Sequence, residues 1–254
     1  MMKHFLITGD IHGQLARFSL IDDIRYAPEE TGIIILGDAG FNYYLDNLDI
    51  RMKRRASETG YTFYCIRGNH EARPSDIETM QYVYDEEIKG MVYYEPEFPK
   101  IIYLIDGDVY EFNSRKVLVL GGAYSVDKDY RKARGWAWWA NEQLSPEEQC
   151  AILKDVKGKH YDIVLSHTCP ITWEPTELFL SFIDQSTVDK STETWLEEIK
   201  NNIDYTYWLF GHFHAEKIIN NQAIMLFEKI IDIKDLADIL INTEDFEGFI
   251  DGRY

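Results

Sequence analysis

The sequence predicts an α/β protein made of two packed β-sheets with helices outside. Three observations carry that expectation. Short apolar runs recur along the chain, and each ends in a polar or glycine-rich turn. Strand-like and helix-like segments alternate at first. Strand-like runs joined by short turns, the mark of antiparallel pairing, occupy the middle and the end.

Taken in order, "HFLITGD" reads as a strand and "GQLARFSLIDDIRYA" as an amphipathic helix. "TGIIILGDAG" is a strand entering a loop, "LDIRMKRRASETG" a helix, and "YTFYCIRGNH" again strand then loop. "KIIYLIDGDVYEFNSRKVLVLGGAYS" reads as three antiparallel strands with turns at Asp-Gly-Asp and Asn-Ser-Arg-Lys. Ser-Pro-Glu-Glu in "NEQLSPEEQCAILKDV" starts a helix. "YDIVLSHTCP" and "YTYWLFGHFH" are strand then loop, and "EKIINNQAIMLF" is a hairpin turning at Asn-Asn. The whole of 1–254 is expected to be one domain, with an insert at 121–143 and a poorly legible extension at 236–254.

The chain of 254 residues is long enough for a sizeable core. No window has the apolar length of a membrane span, and the N-terminus has no signal-peptide pattern. Cys65, Cys150 and Cys169 have no framework spacing and fit a reducing cytoplasm. The formal net charge of −18 repels long nucleic acids and anionic membranes, so those partners are not expected. A small phosphorylated substrate is compatible with it, because bound metal ions reverse the sign locally.

Five strand ends read GDIHG (9–13), GDAG (37–40), GNHE (68–71), SHTCP (166–170) and GHFH (211–214). Loops at the carboxyl ends of strands converge in α/β architectures. In a strand, positions two apart share a side, so Asp10 and His12 are expected to face a common point. The side chains able to hold metal are Asp10, His12, Asp38, Asn69, His167, His212 and His214. Imidazole mixed with carboxylate and amide oxygen suits first-row ions. Seven ligands exceed the needs of one ion and suit two sharing a carboxylate; His70 is then a candidate acid. Taken singly, each motif has a bland reading as a turn or a structural histidine. Five in succession, all at strand ends, do not. His4 and His160 match no motif and are expected to be structural.

These five motifs, in this order from Gly9 to His214, resemble those of the calcineurin-like metallophosphoesterases. The resemblance implies a four-layer α/β/β/α fold, a two-sheet β-sandwich flanked by helices. It implies two divalent ions, Mn²⁺ foremost, with Fe, Zn or Ni also compatible. Asp10, His12, Asp38 and His214 would hold one ion, and Asp38, Asn69, His167 and His212 the other. Phosphate-ester hydrolysis would proceed by attack of a metal-bridged hydroxide, with His70 protonating the leaving group or binding phosphate.

"GDIHGQL" and "IRGNHEAR" are similar to the phosphoprotein phosphatase branch and to dinucleoside-tetraphosphate hydrolases. That branch reads GD-x-V-D-R-G at its second motif, where this chain has "GDAGFNYY". Phe41 stands where the branch has an Asp that orients the catalytic histidine, and Asn42 where it has a phosphate-gripping Arg. The expected substrate is therefore a small or nucleotide-like phosphomonoester or phosphodiester, with phosphoprotein or dinucleoside polyphosphate as the alternative. A non-catalytic scaffold of the same fold should have lost ligands or the acid, and all are present. The insert concentrates Lys128, Arg131, Lys132 and Arg134 with Trp136, Trp138 and Trp139. Either it walls the substrate, with Arg131, Tyr124 and Ser125 as contacts, or its tryptophans pack under a helix and its charges lie in solvent.

Overall fold

The protein is described here from a computed structural model, which covers residues 2–22, 24–179, 181 and 183–242. In chain order its elements are β1 (His4–Thr8), β2 (Thr31–Ile35), α1 (Asn47–Glu58), β3 (Thr62–Cys65), β4 (Gln81–Asp85), β5 (Gly90–Tyr94), β6 (Ile101–Leu104), β7 (Val109–Phe112), β8 (Arg115–Leu120), α2 (Lys128–Arg134), α3 (Pro146–Val156), β9 (His160–Ser166), α4 (Ser191–Asn202), β10 (Asp204–Phe210), β11 (Lys217–Asn220), β12 (Ala223–Met225), β13 (Ile231–Asp232) and α5 (Leu236–Ile241). Among the described residues the first sheet has seven strands in the order β13-β1-β2-β3-β6-β5-β4. The second has six, β11-β12-β10-β9-β8-β7.

Period-two alternation divides each central strand between two cores. Ile7, Ile34 and Tyr64 of the first sheet meet Val117, Val119, Ile163, Leu165 and Leu209 of the second between the layers. The alternate residues face outward. Ile33, Ile35, Phe63 and Cys65 pack with Ala56 of α1. Leu118, Val164, Trp208 and Phe210 pack with Val156 of α3 and with Trp195, Leu196 and Ile199 of α4. The result is the expected layering of helix, sheet, sheet and helix.

Local signals explain the helices that were legible. Asp46 caps α1 by accepting from Leu48 N at 2.6 Å. Ser145 and Glu148 form a reciprocal capping box at α3, with Pro146 at the first helical position. Asn113 and Ser114 both have positive φ, 50° and 60°, the mark of a two-residue type I′ turn between β7 and β8.

Two expectations are corrected. The helix read over "GQLARFSLIDDIRYA" is a short 3₁₀ turn, Leu15–Leu20. No side chain caps it, Phe18 is its one buried residue, and Leu20 and Ile24 of the anticipated apolar stripe lie in solvent. The three-stranded antiparallel unit is split between sheets. β6 runs parallel to β3 in the first sheet, whereas β7 and β8 form a hairpin in the second. The Asp-Gly-Asp turn crosses between them, and Asp106 ties it down by accepting from Arg67 Nε at 2.8 Å and Gly121 N at 2.6 Å. The hairpin β4–β5 has no counterpart in the sequence reading. Of the extension at 236–254, α5 is described, and 243–254 lie outside the described residues.

Candidate metal centre

The parallel register sets the site. Thr8 is level with Ile35 and Ile35 with Cys65 in the first sheet, and Ser166 is level with Phe210 in the second. Five neighbouring strands therefore end together, and their loops meet at the seam between the sheets. Among the described residues, three groups bring ligand atoms within 4.8 Å of one another: Asp10, His12 and His214; His12, Asp38 and His70; and Asp10, Asp38 and His167. The groups share members, so they form one continuous cluster.

Backbone geometry at these positions is unusual. His12, Asp38, His212 and His214 all have φ between 44° and 70°, a left-handed region that non-glycine residues seldom occupy. Asp10 and His12 do come together, with His12 Nε2 4.0 Å from Asp10 Oδ2, but a left-handed turn brings them there rather than strand alternation. Glycine is required where the chain passes closest. A Cβ on Gly68 would lie 1.9 Å from Asp38 Oδ1, and one on Gly211 2.4 Å from Asp10 Oδ1.

Each carboxylate has one oxygen tied down and one turned inward. Asp38 Oδ1 accepts from His70 N at 2.8 Å, and Oδ2 faces His12 Nε2 at 3.9 Å and His167 Nε2 at 3.7 Å. Asp10 Oδ1 accepts from His212 N at 2.7 Å. Asp10 Oδ2 is buried without a hydrogen-bond partner, 3.5 Å from His214 Nε2. His167 Nδ1 donates to Leu36 O at 2.7 Å. Its Nε2 lies 2.8 Å from Asn69 Oδ1. Asn69 Nδ2 in turn donates to Ser125 Oγ at 2.8 Å, which turns Oδ1 inward. His12 Nε2 and His214 Nε2 approach to 3.0 Å. Carboxylate, amide and imidazole atoms converging on one point fit divalent cations, and the outer hydrogen bonds are of the kind that orient ligands.

Electrostatics agree with that geometry. Burial opposes ionisation of Asp10, yet His167, His214 and His12 hold its carboxyl below the usual range. Asp38 is likewise lowered against its burial by His167, His70 and His12. His212 is pushed down to about 3 by burial and by His167 beside it. Burial also lowers His70, against the pull of Asp38 and Asp127. His214 is buried too, but the Asp10 carboxylate beside it lifts it above its ordinary value.

Around His70 the structure places Asp127 and Tyr43, which the sequence reading did not single out, together with Arg131, which it did. Asp127 Oδ1 lies 3.7 Å from His70 Nε2 and 3.7 Å from Arg131 Nη1. The Tyr43 ring stacks at 6.3 Å from His70, with the Arg131 guanidinium 5.5 Å from its centre. Arg131 is buried: Nε donates to Ala137 O at 2.9 Å and Nη1 to Ser125 Oγ at 3.1 Å. Ser125 is buried as well, donating to Glu142 Oε2 at 2.6 Å. Tyr124 lines a pocket of about 340 Å³ whose wall also includes Asp38, Asn69, His70, His212 and His214, and its ring lies under the ammonium of Lys128 at 4.3 Å. Trp138 is held by its Nε1 donating to Glu142 Oε2 at 2.8 Å, whereas Trp136 is exposed. Phe41 and Asn42, the positions that depart from the branch pattern, are both fully buried. Phe41 packs on Phe63, and Asn42 Oδ1 accepts from Tyr103 at 3.3 Å. Outside the cluster, His4 and His160 pair with Asp232 at 3.5 Å and Asp204 at 2.8 Å.

The sequence pattern of the calcineurin-like phosphoesterases matches residues 3–216, and the chain belongs to that family of metal-dependent hydrolases acting on phosphate esters. The family uses a pair of metal ions. No curated protein matches the chain. One solved structure is 13% identical over 92% of this chain and 96% of its own, with a TM-score of 0.49. The protein TT1561 of Thermus thermophilus is 13% identical over 91% of this chain and 98% of its own, with a TM-score of 0.43. Among the described residues no helix is long and apolar enough to cross a membrane.

Proposed function

We propose that this protein hydrolyses small or nucleotide-like phosphomonoesters or phosphodiesters with two divalent ions in the cluster, in a reducing cytoplasm. One observation carries the reading. Asp10, Asp38, Asn69 and His167 are buried and turn their oxygens and imidazole nitrogen toward one another, and Asp10 Oδ2 has no hydrogen-bond partner. Asp10, His12, Asp38 and His214 would hold one ion, and Asp38, Asn69, His167 and His212 the other. The nitrogen-rich set favours Mn²⁺, with Fe, Zn or Ni compatible. Bound there, the ions would neutralise phosphoryl charge and supply an ionised water at neutral pH.

The chain's own groups do the rest. Asp38 is central because its Oδ2 faces histidines from both halves of the set. His70 carries the proton for the leaving alkoxide on Nε2. Asp127 stabilises the imidazolium from which it leaves, and Arg131 holds Asp127 in place. Tyr43 keeps the imidazole from tilting away. Asp127 thus takes, from a different part of the chain, the role that Phe41 cannot fill.

Purified protein with Mn²⁺ should be offered nitrophenyl phosphate, its diester, cyclic nucleotides and a phosphopeptide. Turnover of the small esters well above that of the phosphopeptide is expected. The phosphopeptide as best substrate would favour the phosphoprotein alternative, and no turnover of any would defeat the reading.

A further inference from the structure

Helix α1 presents a face that the fold does not use. Its buried stripe includes Ala56, and Lys53 pairs inward with Glu95. Arg51 and Arg55, four positions apart and so on one face, are exposed. Among the described residues neither makes an ion pair or hydrogen bond. The chain has 44 acidic and 26 basic side chains, so two unpaired arginines side by side call for a reason. Of the two acids in the helix, Asp49 is turned inward, accepting from Tyr44 N at 2.9 Å and Leu45 N at 2.8 Å, and Glu58, one turn beyond Arg55, makes no ion pair with either arginine among the described residues.

Both arginines line a cleft of about 1040 Å³ whose wall includes His12 and His70 of the metal-ligand cluster. Tyr44 and Trp136 line it too, with 55% and 53% of their surfaces exposed. They come from different segments, the loop after β2 and the insert after α2. Large rings left in solvent beside free guanidinium groups are the materials of nucleotide recognition: planar surfaces stack on a base, and forked donors grip phosphate. The rise of a helix separates the two arginines by about 6 Å along the axis, which lets them take different oxygens of one phosphate chain.

We propose that this cleft is a specificity subsite for a nucleoside carrying two or more phosphates. One phosphate lies at the metal-ligand cluster, a further one meets Arg51 and Arg55, and the base stacks on Tyr44 and Trp136. The proposal rests on the phosphoesterase reading and narrows its substrate class. It also moves part of the specificity from the insert to α1.

The test is inhibition of nitrophenyl phosphate hydrolysis by ADP in the Mn²⁺-loaded protein, with inorganic phosphate, pyrophosphate and adenosine as controls. ADP should inhibit more tightly than inorganic phosphate or adenosine. The double substitution Arg51→Ala, Arg55→Ala should raise the ratio of ADP Ki to nitrophenyl phosphate KM about 10- to 100-fold, the range of charge-assisted hydrogen bonds. Trp136→Ala should weaken ADP and spare pyrophosphate. Equal inhibition by ADP and inorganic phosphate, or an unchanged ratio in the double variant, overturns the proposal. Should the wild type fail to hydrolyse nitrophenyl phosphate, the phosphoesterase reading fails separately. ADP binding by calorimetry then decides the subsite: binding lost in the double variant supports it, and binding absent or unaltered overturns it.

Discussion

Asp38 is buried, sits at a positive φ, and has its two oxygens committed in opposite directions. Asp38→Asn keeps the Oδ1 acceptor for His70 N but removes the charge shared by both halves of the ligand set. Turnover should fall by more than the ~10- to 100-fold that an outer hydrogen-bond partner is worth. Elemental analysis should find less than two ions per chain, and near-normal activity with both ions retained would defeat the assignment. His70 makes a different prediction. His70→Ala should keep the fold and most of the metal yet lose about 10²- to 10⁴-fold in rate. The loss should be smaller for nitrophenyl leaving groups, which need little protonation. Asp127→Asn should reproduce that leaving-group dependence more weakly, because Asp127 caps nothing in α2 and touches the chemistry only through His70. Equal losses on good and poor leaving groups would make His70 a phosphate binder rather than an acid.

At the scale of elements, the loop after β3 and helix α4 are each open to test. Gly68 follows β3 and lets the chain pass against Asp38, the ligand that follows β2. A methyl group there meets not only Asp38 Oδ1 but also Asp38 N at 2.3 Å, and backbone cannot yield as a side chain can. Gly68→Ala should therefore leave a folded protein by circular dichroism that holds little metal; full metal content would contradict the crowding argument. In α4, Glu193 is buried with one oxygen accepting from Thr168 Oγ1 at 2.8 Å and the other unpaired. Burial pushes its carboxyl up to about 7, from 4.5. A raised carboxyl retains its proton longer in the folded state than in the unfolded one. Its contribution is fully present below pH 4.5 and is lost as pH rises through about 7. Glu193→Gln removes that dependence. The variant should gain on the order of 2–3 kcal/mol over the wild type at pH 8 and little at pH 4.5, read from urea unfolding. A gain independent of pH would show that ionisation is not the cause.

For the whole molecule, the candidate ligands come from both sheets: four follow β1, β2 and β3, and three follow β9 and β10. Ions bound at the seam would join the layers and favour the folded state. Stabilisation of about 2.7 kcal/mol is expected when free metal is 100 times its dissociation constant. Stripping with a strong chelator should abolish turnover and lower Tm, and Mn²⁺ should restore both. Full turnover in protein shown by elemental analysis to be metal-free would refute the two-metal mechanism. The formal net charge of −18 is compatible with an anionic substrate because ions bound in the cluster, with the α1 arginines, would set the local sign.

By itself the sequence determined the parts whose chemistry is local. Each strand-end motif is written in consecutive residues, because a strand stops where glycine and polar groups replace apolar ones. The start of α3 was legible for the same reason, since Ser145, Pro146 and Glu148 carry the whole capping box. The apolar runs of the central strands pointed to two packed sheets without saying which sheet a strand joins. That choice depends on pairing across the chain, and it placed β6 beside β3 rather than β7. The apolar residues after Gln14 looked helical, but only packing could show that Leu20 and Ile24 have nothing to bury against. Asp127 and the free face of α1 carry no motif. They became functional candidates only when folding set one 3.7 Å from His70 and the other in the wall of the cleft. Chemistry confined to a few neighbouring residues is legible in a sequence. Proximity between distant residues is a property of the packed layers, and only the tertiary structure decided it.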